Sequence, residues 1–239
     1  MSTTEMQAVV LCGGLATRLG ARAAHVPKIL LEIAGQPFLD RLTLLLARAG
    51  FARALLLAGH LGDAIEAAVA RGPRPLALEV LRDGPTLLGT GGALRAALDR
   101  LDETFLVTYG DSYLRFDYAE PLRMLRAAPS ARGCMATFAN EDAIEPSNVA
   151  ISSGKVVRYD KSRASGAPPL TSIDYGATAL RSEALLELPE RGASDLAPLL
   201  SRLAARGELL ACPAEERFFE IGSEAGLRDL EAHLAKEGA

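Results

Sequence analysis

Residues 8–14, Ala8-Val9-Val10-Leu11-Cys12-Gly13-Gly14, begin as a short apolar run and end in two glycines. An apolar run that stops at glycine is typical of a buried strand entering a loop. Downstream, apolar runs and segments of helical periodicity alternate at intervals of about 25 residues as far as Gly110-Asp111. This alternation predicts an α/β unit built on a mostly parallel sheet.

The pattern changes after residue 130, where short strands and tight turns replace the alternation. Ser153-Gly154 is predicted to form a hairpin turn, and Ser194 and Ser223 are predicted to cap helices. We expect residues 131–239 to extend the sheet of residues 1–130 within a single domain. The predicted strands are 8–12, 53–58, 76–81, 104–109, 133–139, 148–152, 155–160 and 175–180, and the predicted helices are 37–49, 63–70, 91–101, 194–206 and 223–236.

The composition indicates a soluble globular protein. Of 239 residues, 49% are apolar and 23% are charged, and the net charge is −4. This acidic balance argues against broad binding to nucleic acid or to an anionic membrane. Three cysteines without CxxC spacing argue against a disulfide framework or a zinc site, and residues 1–7 lack the features of a secretory signal. We therefore expect a cytoplasmic protein.

The Gly13-Gly14 loop is the first candidate for phosphate binding. Backbone N–H groups in a glycine loop that leads into a helix can cradle phosphates, and Arg18 and Lys28 would add cations. The loop matches neither the Walker pattern nor GxGxxG. Alone, it is equally compatible with a tight turn between a strand and a helix.

Three further segments carry candidate chemistry. Residues 88–94 place three glycines before a predicted helix, and Asp111 follows an apolar strand at the position where α/β sheets bind ligands. Asp111 is a candidate Mg²⁺ ligand, and Glu220 is a candidate second ligand. The alternatives are a flexible loop for 88–94, a turn or helix cap for Asp111 and a solvated charge for Glu220.

Taken in order, these segments resemble the sugar-1-phosphate nucleotidylyltransferases over essentially the whole chain. That family has GGxGTRL after its first strand and Pro-Lys about ten residues later. The matching segments here are Gly13–Leu19, Pro27-Lys28, Gly89–Ala93, Gly110-Asp111, Val157–Lys161 and Glu220–Ser223.

The resemblance implies a Rossmann-like nucleotide-diphospho-sugar transferase fold, with helices on both faces of a mostly parallel central sheet. It also implies that residues 1–130 bind the nucleotide, residues 131–239 bind the sugar phosphate, and Mg²⁺ is the cofactor. The implied catalytic residues are Arg18, Lys28 and Asp111, and the implied Mg²⁺ ligands are Asp111 and Glu220. The implied nucleotide-binding residues are Leu11, Cys12, Gly13, Gly14, Ala16, Thr17, Asp83, Gly89 and Thr90, and the implied sugar-phosphate-binding residues are Gly110, Asn148, Asp160, Lys161 and Gly176.

The chain departs from the family pattern at four places. Ala16 replaces a glycine, Asp160 replaces glutamate, Glu220 replaces aspartate, and Asp174-Tyr175-Gly176 stands where many members have Asn-Ala-Gly. These departures affect the choice of substrate more than the reaction class. Cys12 is interpreted as a small buried residue, with a reactive thiol as the alternative.

The branch that activates manno-heptose 1-phosphate with GTP, for capsule or surface polysaccharide, is the most similar. The alternatives are N-acetylmuramate 1-phosphate with UTP, glucose 1-phosphate with CTP or dTTP, and non-sugar phosphates with CTP. A glycosyltransferase would carry Asp-x-Asp, which Asp111-Ser112-Tyr113 does not match. A silent nucleotide-sugar sensor would lack Arg18, Lys28 or Asp111, and all three are present. Homo-oligomerisation stays open, and residues 162–169 are expected to form a surface loop, with a lid as the alternative.

Overall fold

The computed structural model describes residues 5–14, 25–163 and 166–237. The strands are β1 (Met6–Leu11), β2 (Glu32–Ile33), β3 (Gln36–Pro37), β4 (Phe51–Ala58), β5 (Ala77–Arg82), β6 (Thr104–Tyr109), β7 (Ser112–Tyr113), β8 (Gly133–Ala139), β9 (Val149–Ser152), β10 (Lys155–Tyr159), β11 (Ser172–Arg181), β12 (Leu209–Ala214) and β13 (Phe219–Glu220). The α-helices are α1 (Phe38–Arg48), α2 (Gly62–Ala70), α3 (Gly89–Ala96), α4 (Glu120–Ala127), α5 (Ala197–Ala205) and α6 (Glu224–Glu237). Short 3-10 helices span Lys28–Leu30, Leu98–Arg100 and Ser182–Glu187. In the described part of the chain, no helix is long and apolar enough to cross a membrane.

The first of two compact units consists of Met1–Leu87, Thr108–Leu114 and Phe218–Ala239. Its sheet contains β5, β4 and β1 in that order, and both strand pairs are parallel. β1 and β4 are buried along most of their length, whereas β5 is partly exposed. Strands covered on both faces favour apolar residues at most positions, and β1 and β4 accordingly contain the apolar runs 8–11 and 54–58.

A two-stranded antiparallel ribbon of β7 and β13 belongs to the same unit. Ser112 lies opposite Glu220, and the Ile221 N–H donates to the Asp111 carbonyl at 2.9 Å. The ribbon therefore holds the backbone of Asp111 beside that of Glu220, although 108 residues separate the two in the chain (220 − 111 − 1).

Helix α6 begins directly after the ribbon, at the cap predicted from the sequence. The Ser223 hydroxyl accepts a hydrogen bond from the Gly226 N–H at 3.1 Å. This bond satisfies an N–H group of the first helical turn, which has no partner within the helix.

The second compact unit consists of Leu88–Val107 and Arg115–Arg217. Its strands follow the order β6-β11-β8-β12-β10-β9, with β8 and β12 parallel and β11 antiparallel to β8. Ser153-Gly154 forms the predicted hairpin turn between β9 and β10, with positive φ at both residues, as the tightest hairpin turns require.

The two-residue strands β2, β3, β7 and β13 were not predicted from the sequence, and two longer elements and one cap also differ from the predictions. Helix α4 and strand β12 were not predicted; β12 contains Pro213, a residue type that argues against a strand inside a sheet. Ser194 does not cap α5, because the helix begins at Ala197 and no side chain caps it. The Ser194 backbone instead bonds to the segment that starts α3.

A cluster of arginines surrounds Glu187 in the second unit. Arg206 donates to this carboxylate at 2.8 and 3.1 Å, and Arg132 donates to the same group. These bonds lower the pKa of Glu187 from 4.5 to about 2, and the bond from Arg206 makes the largest contribution. Because the folded pKa lies below the ordinary value, the stabilisation is complete above about pH 4.5 and is lost as the pH falls toward 2.

We expect Glu187→Gln to lower the free energy of unfolding at pH 7, and the deficit relative to wild type to shrink between pH 5 and pH 3. Urea unfolding at several pH values measures this difference. Glu190→Gln, at an exposed carboxylate, is the matched control and should show no such pH dependence. A deficit of Glu187→Gln that is constant with pH would contradict the role of the arginines.

Candidate functional site

The carboxyl ends of β1, β4 and β5 lie at one edge of the sheet, where two glycines present only main-chain atoms. A Cβ atom on Gly13 would lie 2.9 Å from the Gly59 nitrogen, and one on Gly59 would lie 2.9 Å from Asp83 Oδ2 and 2.7 Å from Leu87 Cδ2. A side chain at position 13 would have to displace the backbone of Gly59, whereas one at position 59 would meet mainly the ends of the Asp83 and Leu87 side chains. The Asp83 carboxylate lies beside this glycine surface, defined by Gly13 and Gly59, at the sheet edge where α/β proteins bind ligands.

Cys12 lies at the base of this surface as a protonated thiol. Its Sγ–H donates to the Leu57 carbonyl at 3.3 Å. Burial, followed by the negative charges of Asp83 and Asp111, raises the pKa of Cys12 to about 12. The raised pKa argues against the reactive thiol, and the Cys12 side chain is half-buried rather than fully buried.

An ion pair joins Lys28 to Asp111. Lys28 Nζ lies 2.8 Å from Asp111 Oδ2, and the two side chains are 17% and 28% exposed. The pair is thus less screened by water than a surface ion pair. The neighbouring Gly110 N–H donates to the Leu11 carbonyl at 2.9 Å, which holds the end of β6 beside β1.

The pair of predicted metal ligands suits Mg²⁺. Asp111 directly precedes β7, and Glu220 lies at the end of β13, opposite Ser112. Mg²⁺ in phosphate chemistry usually takes one or two carboxylates and completes its shell with phosphate and water. Within residues 5–14, 25–163 and 166–237, no group of three or more His, Cys, Asp or Glu could hold a metal. The donor set therefore fits an ion that shares its shell with a substrate phosphate.

The second glycine loop, residues 88–94, packs against residues 192–196 of the same chain. The N–H groups of Gly91 and Gly92 donate to the Ser194 carbonyl at 2.8 and 3.1 Å, and the Leu196 N–H donates to Thr90 Oγ1 at 2.9 Å. A Cβ atom on Gly91 would lie 3.0 Å from Ser194 Oγ and 2.7 Å from the Asp195 carbonyl oxygen. The close backbone approach expected here is made by residues 192–196, and the nucleotide-binding role of Gly89 and Thr90 stays a prediction.

Three of the predicted sugar-phosphate residues belong to one hydrogen-bonded cluster around Asp174. The Asp174 N–H donates to Asn148 Oδ1, its carboxylate accepts bonds from the Gly176 N–H and the Tyr159 hydroxyl, and the Asp160 N–H donates to the Asn148 carbonyl. All four distances are 2.9–3.0 Å. The cluster brings Asn148, Asp160 and Gly176 together.

Lys161 is exposed beside this cluster, with its Nζ 6.0 Å from the centroid of the Tyr159 ring. The Asp160 carboxylate bonds to Ser162 and pairs with Arg158 at 3.1 Å. These contacts lower the pKa of Asp160, and the hydrogen bond from Ser162 makes the largest contribution. Asp160 is thus an anion held within its own turn.

Other site residues fall outside these groups. Arg18, Ala16 and Thr17 lie outside the described residues, and Gly14 is exposed next to Gly13. Sequence reasoning missed Gly59 and did not assign Asp174 to the site. Gly59 follows an apolar strand as Gly13 does, and this signal could have found it.

A family comparison agrees with this arrangement. Residues 8–218 match the MobA-like NTP transferase domain. The chain belongs to this family. The expected resemblance to nucleotidyltransferases is thereby confirmed, and the matched segment contains Lys28 and Asp111.

The curated relatives of this MobA-like chain are named for different substrates. It is 33% identical to a mannose-1-phosphate guanylyltransferase of Mycobacterium tuberculosis, over 57% of this chain and 42% of that protein. It is 27% identical to a D-glycero-alpha-D-manno-heptose 1-phosphate guanylyltransferase of Campylobacter jejuni, over 48% of this chain and 52% of that protein. It is 26% identical to an N-acetylmuramate alpha-1-phosphate uridylyltransferase of Caulobacter vibrioides, over 99% of this chain and 100% of that protein. The chain thus spans about half the length of the first two.

Solved structures confirm the α/β nucleotide-diphospho-sugar transferase fold of the MobA-like chain. HddC from Yersinia pseudotuberculosis superimposes with a TM-score of 0.76 at 22% identity, over 96% of this chain and 99% of that one. A UDP-glucose pyrophosphorylase from Acinetobacter baumannii superimposes with a TM-score of 0.82 at 17% identity, over 98% and 94%.

We expect Cys12 to resist alkylation in the folded protein. A rise in pKa from 9 to about 12 lowers the thiolate fraction at pH 8 roughly a thousandfold. Iodoacetamide labelling followed by peptide mass spectrometry measures the rate at Cys12, and protein unfolded in urea is the control. Native labelling at the rate of the unfolded chain would contradict the assignment.

Proposed function

We propose that this chain is a Mg²⁺-dependent sugar-1-phosphate nucleotidylyltransferase, which converts NTP and a sugar 1-phosphate to NDP-sugar and pyrophosphate. The observation that carries the proposal is the Lys28–Asp111 pair at the carboxyl end of β6, in a chain of this family. A cation and an anion at this position suit a reaction in which phosphate charge is redistributed.

In the proposed reaction, a phosphate oxygen of the sugar 1-phosphate attacks the α-phosphorus of the NTP. A new oxygen–phosphorus bond forms, the bond from the α-phosphorus to the bridging oxygen breaks, and pyrophosphate leaves with that electron pair. The Lys28 ammonium would stabilise charge on the phosphates, together with Arg18. Mg²⁺ bound by Asp111 and Glu220 would neutralise further charge. No side chain acts as a covalent nucleophile, so positioning and charge supply the catalysis.

The glycine surface would receive the nucleotide. Peptide groups at Gly13 and Gly59 permit close approach, and Asp83 supplies hydrogen-bond acceptors beside them. The other residues of the proposed nucleotide set are Leu11, Cys12, Gly14, Ala16, Thr17, Gly89 and Thr90. Asn148, Asp160, Lys161 and Gly176 would hold the sugar phosphate, with Lys161 on the phosphate. Gly110 is also assigned to the proposed sugar-phosphate set.

GTP and D-glycero-D-manno-heptose 1-phosphate are the proposed substrates, for capsule or surface polysaccharide synthesis in the cytoplasm. Relatives named for guanylyl transfer to mannose 1-phosphate and to a heptose 1-phosphate support this choice. The second candidate pair is UTP and N-acetylmuramate 1-phosphate. The match to the uridylyltransferase over the full length of both chains favours it.

Pyrophosphate release across a matrix of NTPs and sugar 1-phosphates, with Mg²⁺, tests the proposal. The panel contains manno-heptose, N-acetylmuramate, glucose and mannose 1-phosphates. We expect the highest turnover with GTP and heptose 1-phosphate, and a loss of about a hundredfold or more in Asp111→Asn with the fold retained.

Asp99→Asn, at an exposed carboxylate, is the control for charge and should keep wild-type turnover. Unchanged turnover in Asp111→Asn would remove Asp111 from the mechanism. Release with UTP and N-acetylmuramate 1-phosphate alone would select the second candidate. A blank matrix from protein that binds NTP would favour a non-sugar phosphate acceptor or a nucleotide-sugar sensor.

Lys161→Ala should raise KM for the sugar phosphate more than KM for the NTP, because it removes a cation that we assign to the sugar phosphate only. Initial rates with each substrate varied in turn give both constants. Lys155→Ala, at another exposed lysine of the same unit, should change neither. Equal increases in both KM values for Lys161→Ala would refute the assignment.

A further inference from the structure

Tyr175 is a large, fully buried side chain, 1% exposed, in β11. It stands in the Asp-Tyr-Gly segment where the family pattern has Asn-Ala-Gly. Its ring packs edge-on against Phe116, with the centroids 5.3 Å apart. An alanine, which many members have at this place, could make neither this contact nor any side-chain hydrogen bond.

The Tyr175 hydroxyl joins two segments that are distant in the sequence. It accepts a hydrogen bond from the Arg115 N–H at 3.1 Å and donates one to the Glu216 carbonyl at 2.7 Å. The side chains of Arg115 and Glu216 form an ion pair at 2.7 Å. We call these three contacts the Tyr175 clamp. Burial raises the pKa of Tyr175 to about 12, so the phenol keeps its donor proton at neutral pH.

The clamped segments lead directly into the ribbon that carries the two metal-binding candidates. Arg115 lies two residues after β7, and Glu216 lies three residues before β13. The chain runs without interruption from Arg115 back to Asp111 and from Glu216 forward to Glu220. The separation of Arg115 and Glu216 therefore limits how the two ribbon strands can pair.

The ribbon needs such a restraint because each of its strands has only two residues. Isolated two-stranded ribbons are at best marginally stable. A slip of one residue in register would turn every side chain of a strand to the opposite face. Glu220, which lies opposite Ser112 in the present register, would then lie opposite a different residue, and its placement relative to Asp111 would change.

We propose that Tyr175 is a positioning residue that fixes the register of the β7–β13 ribbon and thereby the relative placement of the Asp111 and Glu220 carboxylates. Its effect on Mg²⁺ rests on the function proposed above. Its effect on the register of the ribbon does not depend on that function. Packing of His233 on Phe219, with ring centroids 4.5 Å apart, also supports β13 and is untouched by changes at Tyr175.

Tyr175→Phe tests the clamp, because it removes the hydroxyl and keeps the ring. Amide hydrogen exchange at Ile221, whose N–H bonds to the Asp111 carbonyl, reports the ribbon without requiring activity. We expect exchange at Ile221 to accelerate about fivefold or more, as for the loss of one net hydrogen bond, while amides of β4 stay unchanged. Arg115→Gln, which removes only the ion pair, should give a smaller acceleration.

Tyr118→Phe is the matched control, since Tyr118 is also 1% exposed and its ring lies beside Phe116. It should leave exchange at Ile221 unchanged. In the pyrophosphate assay, Tyr175→Phe should raise the Mg²⁺ concentration for half-maximal rate severalfold and leave KM for the sugar phosphate unchanged. Equal changes in both constants would indicate a general structural effect and overturn the positioning role.

Unchanged exchange at Ile221 in Tyr175→Phe would overturn the clamp, whatever the activity. Accelerated exchange in a protein without activity on any substrate pair would support the clamp and reject the proposed function. The two failures are therefore distinguishable.

Discussion

The ion pair between Lys28 and Asp111 is the interaction on which the arrangement of the first unit's site depends. It joins the short helix that begins at Lys28 to the end of β6, so two segments separated by more than 80 residues converge at one edge of the sheet. The pair leaves a cation and an anion within bonding distance. In the function proposed above, a phosphate beside Lys28 and a metal ion beside Asp111 would leave neither charge uncompensated.

The other elements of this unit support the pair from its two flanks. The glycine surface lies at the ends of β1, β4 and β5, and the Gly110 N–H bond to Leu11 holds the end of β6 beside β1. The ribbon brings Glu220 next to Asp111 through backbone hydrogen bonds. Backbone contacts thus set the positions, and side chains supply the charge.

The sequence predicts the first half of the fold better than the second. β1, β4 and β6 each contain an apolar run, and these runs together with the glycines that follow them predict the strands directly. β12 contains Pro213, so its strand character depends on pairing with β8, which no local pattern reveals. The residues of the candidate site also differ in how well the sequence predicts them. Gly13, Lys28 and Asp111 are recognisable by motif, whereas the hydrogen bonds of Asp174 and Tyr175 join residues that only the folded chain brings together.

The packing of the α3 glycines against Ser194 has a consequence for how this protein can vary. A side chain at position 91 has no space while the Asp195 carbonyl group holds its present position. The segments 89–92 and 192–195 therefore form one inherited unit, and a change in either is tolerated only with a matching change in the other. A chimera that exchanges the glycine loop between relatives must carry both segments together.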